Sequence, residues 1–92
     1  MISILAYRIM VKVIEQSTHG RAYESAMTLA IALKIGVNHT DDMVVTESAK
    51  YLVKEELKDH NDDPYKTTLI AIARIANKIL DDMADEVNNA ND

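Results

Sequence analysis

Three histidines and fifteen carboxylates are the residues here whose types could support metal binding or proton transfer. His19, His39 and His60 each fall in a connector between segments that read as helices, beside Gly, Asn or Thr. In an up-down bundle His19 and His60 share one end, where Asp62 and Asp63 would add oxygen donors to their nitrogens. No Glu-x-x-His or His-x-x-x-His spacing sets two ligands on one helical turn, however, so loop histidines that are solvated or capping are expected rather than a metal site. The chain has no cysteine, which excludes disulfides, zinc thiolates and a thiol nucleophile. It also lacks a glycine-rich phosphate loop, a nucleophile elbow, and a carboxylate pair in an apolar setting that would push two pKa values apart. No catalytic residue, cofactor or metal is therefore expected, and the chain reads as non-enzymatic.

What the charges do offer is asymmetry. Residues 1–40 hold Arg8, Lys12, Arg21 and Lys34 against Glu15 and Glu24, whereas residues 41–92 hold 13 acids and 6 bases, giving the net charge of −5. Asp81, Asp82, Asp85 and Glu86 crowd what reads as the C-terminal end of a helix, where the helix dipole disfavours each exposed carboxylate by about 0.3–1 kcal/mol. Such a placement fits a surface that attracts a basic partner, with Asp62 and Asp63 joining it if the fold brings them near.

The elements that must carry these residues read as helices. Two Gly and one Pro leave little punctuation for hairpins. The first segment, Ile2 to Gln16, puts Ile2, Leu5, Ala6, Ile9, Met10 and Val13 at helical spacing, with Arg8, Lys12 and Glu15 on the polar side. Ile4, Val11 and Ile14 widen its apolar arc beyond what a surface helix needs, and are expected to mediate self-association. A second helix is expected from Arg21 to Ile35, ended by Gly36 in a left-handed cap. A third should run from Thr40, as N-cap, to about Asp59, with Val45, Ala49, Leu52, Val53 and Leu57 inward. Asp63-Pro64 starts the fourth, whose seam Tyr65, Leu69, Ile72, Ala76, Ile79 and Met83 has the four-three spacing of interlocked helices.

The expected fold is thus all-α: a small four-helix up-down bundle over residues 1–87, possible completion by oligomerisation through the first helix, and a frayed polar tail over 88–92. The apolar run at the start is broken by Arg8 and Lys12 and is too short to span a bilayer, so a cytoplasmic chain is expected. Leu29 to Asn38 resembles the front half of a helix-turn-helix around Gly36, but the following residues would present Asp41, Asp42 and Glu47 to phosphates, which makes nucleic acid an unfavourable partner.

The leading expectation is a small acidic homo-oligomer that regulates or inhibits a basic partner protein, a type familiar among phage and mobile-element accessory proteins. The expected partner-binding residues are Asp62, Asp63, Asp81, Asp82, Asp85 and Glu86, and the expected self-association residues are Ile4, Val11 and Ile14. A DNA-binding regulator and a structural assembly subunit are the alternatives.

Overall fold

Two helices open the chain, α1 (Ile4–Gln16) and α2 (Gly20–Ala32), in a computed structural model that describes residues 4–16 and 20–90. Three short strands follow, β1 (Gly36–His39), β2 (Met43–Glu47) and β3 (Leu52–Glu56), then a 3-10 turn at Leu57–His60 and the long helix α3 (Pro64–Ala90). The expectation of an all-α four-helix bundle is therefore corrected: this is an α+β fold, with three α-helices and a three-stranded antiparallel sheet in the order β1-β2-β3.

The segment expected as the third helix, Thr40 to Asp59, is where the two readings part. Val44, Val45 and Thr46 are consecutive β-branched residues, which lose side-chain freedom in a helix and pack well on a pleated surface. Their register places Val44 opposite Glu55 and Thr46 opposite Val53, and these four form the buried face of the sheet. Thr40 behaves locally as an N-cap would: its Oγ1 accepts from Met43 N at 3.1 Å and from Asp42 N at 3.4 Å. Here the same bonds close a hairpin turn, sealed by Thr40 N donating to Met43 O at 2.9 Å. Ser48 does the same between β2 and β3, accepting from Tyr51 N on its Oγ while its own N donates to Tyr51 O. Hydroxyl side chains thus replace the glycines whose scarcity argued against a sheet.

The end of α2 also differs. Ile35 N donates to Ala30 O and Lys34 N to Ile31 O, the paired bonds of a Schellman motif, with Lys34 as the left-handed residue at φ 58°. Gly36 is not that cap; it has no positive φ and opens β1.

Helix α3 is the centre of the molecule. Asp63 Oδ1 accepts from Tyr65 N and Lys66 N at its start, with Pro64 in the first position, as the Asp-Pro signal leads one to expect. One flank of α3 packs on α1 and α2, the other on β2 and β3, so Leu69, Ile72, Ile75 and Leu80 are almost fully enclosed. Each such side chain contributes roughly 1.5–3 kcal/mol on burial. Arg8 bonds to Asp81 while Glu15 meets Asn77, so α1 runs antiparallel to α3; Tyr23 lies edge-on to Tyr65 at 5.3 Å and Leu33 lies near Met83, so α2 runs parallel to it. Among the described residues no helix is long and apolar enough to cross a membrane.

Candidate functional site

Helix α1 carries apolar side chains on two opposite faces, and only one of them is covered. Val11 and Ile14 are 2% and 1% exposed in the chain's own core, and Ile4, Tyr7 and Met10 pack beside them. The residues expected to mediate self-association are therefore used within the chain: Val11 and Ile14 are enclosed, and Ile4 is partly so. On the far side, Leu5, Ile9 and Val13 remain 70%, 57% and 52% exposed. These three are four residues apart and so form one continuous ridge along the helix.

The polar residues of α1 agree with this orientation. Arg8 Nη2 donates to Asp81 Oδ1 at 2.6 Å, and Asn77 Nδ2 donates to Glu15 Oε1 at 3.2 Å. Both side chains reach α3 on the flank of the face that holds Val11 and Ile14, with Leu5, Ile9 and Val13 on the outward side. Apolar periodicity within α1 cannot choose between the two faces, because either face satisfies it.

The carboxylates expected to form one partner surface are divided between two ends of α3. Asp63 caps its first turn, while Asp81 to Glu86 lie 18 or more residues later, about 27 Å along the helix at 1.5 Å per residue. Asp62 lies beside Asp63 in left-handed backbone at φ 56°. Asp81 is engaged by Arg8, and Asp82 accepts a 2.6 Å bond from the Tyr51 hydroxyl with Lys50 Nζ at 3.5 Å from the same oxygen. Asp85 and Glu86 are exposed. The Tyr51 hydrogen bond holds the Asp82 carboxyl below its ordinary range, against a smaller opposing effect of burial and with Lys50 assisting. The same bond, with burial and the nearby charges of Asp82, Asp81 and Asp85, pushes the Tyr51 phenol up. This pair lies in an open cleft of about 280 Å³ floored by Leu33, Ile79 and Met83.

A second acidic surface, absent from the expectations, surrounds the turn between β1 and β2. Asp41, Asp42, Glu56 and Asp62 line a polar hollow there, and Lys58 meets Glu56 at 3.3 Å. Nearby, Glu55 is 8% exposed on the inner sheet face, yet it receives Arg74 Nη1 at 2.7 Å on one oxygen and His60 Nε2 at 3.1 Å on the other. His39 Nε2 lies 2.9 Å from Thr68 Oγ1, whose own proton goes to Pro64 O at 2.6 Å, so the imidazole is the donor. His19 lies outside the described residues. Among the described residues no group of three His, Cys, Asp or Glu is placed to hold a metal ion.

The half-motif around Gly36 has no second helix after it: Gly36–His39 is a strand, and the chain turns from it into β2. No protein-family model, curated protein or solved structure matches the chain.

Proposed function

We propose that this chain is a non-catalytic protein that acts by binding another protein chain through the outer face of α1. The observation that carries the reading is the uncovered ridge of Leu5, Ile9 and Val13 on a helix whose opposite face packs on the core. Single exposed apolar residues are ordinary, but three aligned on one helix form a contiguous patch of the kind that marks contact surfaces. Helix-in-groove recognition reads such anchors at four-residue spacing.

Regulation of a basic partner is supported by a different surface from the one expected. Of the C-terminal acids of α3, Asp81 is paired with Arg8 and Asp82 with Lys50 and the Tyr51 hydroxyl, whereas Asp41, Asp42 and Asp62 line the hollow beyond β1 with no ion pair to a cation of the described residues. Attraction there is long-range and screened by salt, so it sets encounter rate and selectivity more than affinity.

The test is co-purification from lysate of the natural host, comparing the tagged chain with its Ile9→Asp variant, with and without nuclease. A stoichiometric protein that survives nuclease and is lost with Ile9→Asp supports the reading. Equal recovery by both chains, or recovery that nuclease abolishes, overturns it.

A further inference from the structure

We infer that the occupant of the outer face of α1 is a second copy of the same chain, packed antiparallel with a two-fold axis beside Ile9. This rests on the reading of that face as a contact surface and names what covers it.

The ridge is self-complementary. Leu5 and Val13 lie four residues to either side of Ile9, so a two-fold axis at Ile9 sets Ile9 against its copy and the larger Leu5 against the smaller Val13 of the other chain. Contacts of this kind, in which one patch meets itself, are the commonest way for proteins to form closed dimers. Ridges of residues four apart interdigitate best with helices crossed at about −50°.

Charge points the same way. The chain carries a net charge of −5, yet the outer face of α1 presents no carboxylate. Glu15 is held against Asn77 and Arg8 against Asp81, which leaves Lys12 as the charged residue flanking the ridge. A basic partner finds no counter-charge there. Two copies of this acidic chain meet on the face where their mutual repulsion is least.

Area sets the strength. A fully buried aliphatic side chain removes about 100 Å² of apolar surface from water, so the three exposed fractions supply roughly 180 Å² per copy. A standard interface buries about 800 Å² per partner, so this contact is small and belongs to the weak, reversible class of association.

Because the chain has no cysteine, single substitutions report the geometry directly. Under mild oxidation at about 200 μM, Ile9→Cys should form a disulfide dimer well above the collisional background set by Lys54→Cys on the outer sheet face. Leu5→Cys and Val13→Cys should each stay at background alone, because antiparallel copies hold identical residues about 12 Å apart along the helix. Mixed together they should cross-link to each other. Sedimentation equilibrium should show the wild-type mass rising above 10.3 kDa with concentration, and Ile9→Asp weakening the association at least tenfold. Efficient cross-linking by all three single variants would overturn the antiparallel arrangement. Background cross-linking throughout, with a monomer at 500 μM, would overturn the second copy as occupant; loss of a co-purifying protein in Ile9→Asp would then leave the contact surface standing with a different partner.

Discussion

Replacing Ile14 and Ile9 by Ala is the same chemical change made on opposite faces of one helix, and the structure assigns the two very different costs. Ile14 is 1% exposed, so its truncation removes a buried side chain and leaves a cavity beside α3, at a cost of roughly 2–5 kcal/mol. Ile9 is 57% exposed, so less than half of its transfer energy is at stake, and the better helix propensity of Ala offsets a few tenths of a kcal/mol. The net loss for Ile9→Ala should be no more than about 0.5 kcal/mol. For a domain of this size each kcal/mol moves the midpoint by about 4–8 °C, so Ile14→Ala should melt more than about 10 °C below the parent and Ile9→Ala within about 4 °C of it. Urea and thermal unfolding followed by circular dichroism, at about 5 μM chain to keep association out of the measurement, give both numbers. Equal losses, or a larger loss for Ile9→Ala, would mean that α1 is turned by half a revolution and that the face described as free is the core.

Lys34 sits in left-handed backbone where glycine is unstrained, so Lys34→Gly should stabilise by about 0.5–1 kcal/mol, while Gly36→Ala should be neutral or better because a Cβ there meets Glu47 Cγ at an ordinary 3.6 Å. The reverse ranking in a denaturant titration would restore Gly36 as the cap. Arg74→Ala removes one of the two partners of the nearly buried Glu55; since the Arg74 side chain is 59% exposed, the cost should be about 1–2 kcal/mol, and a double-mutant cycle with Glu55→Ala should show coupling, whereas strict additivity would refute the pair. Tyr51→Phe should return the Asp82 carboxyl toward its ordinary range in an NMR titration. Asp82 is lowered in the folded chain, so its stabilisation is full above about pH 4 and is lost as pH falls through the lowered value; Tyr51 is raised, so its share is full below about pH 10 and is lost as pH rises through the raised value. In Tyr51→Phe both limbs should flatten, and an unchanged acid limb would contradict the assignment.

The helices were legible in the sequence to the extent that their signals are local. Asp63-Pro64 marks the start of α3 because a capping carboxylate and a residue with no N–H to lose act within one turn. The two hairpins were not legible, because Thr40 and Ser48 make in a turn the same side-chain-to-backbone bonds that they make at a helix start. The run Val44-Val45-Thr46 was the available signal for a strand. Glu55 obscured its partner strand, since a carboxylate at an inward position breaks the alternation of β3, and only Arg74 and His60, 19 and 5 residues further on, explain its presence there. The face that α1 leaves uncovered was hidden for a related reason: both faces are apolar, and what covers one of them, chiefly α3, lies far along the chain. Association through the first helix was expected from Ile4, Val11 and Ile14; those side chains pack in or against the chain's own core, and the face left exposed is that of Leu5, Ile9 and Val13. The acids of α3 were visible as a cluster, but their pairing with Arg8, Lys50 and Tyr51 depends on the fold.

The most direct test of self-association through α1 is a dilution series of amide NMR spectra of the wild-type chain from about 20 μM to 1 mM. We expect concentration-dependent shifts centred on Leu5, Ile9 and Val13 and absent from the inner face of the sheet. Spectra that do not change over this range, or changes centred on the outer sheet face or the acidic turn at Asp41 and Asp42, would contradict self-association through this helix.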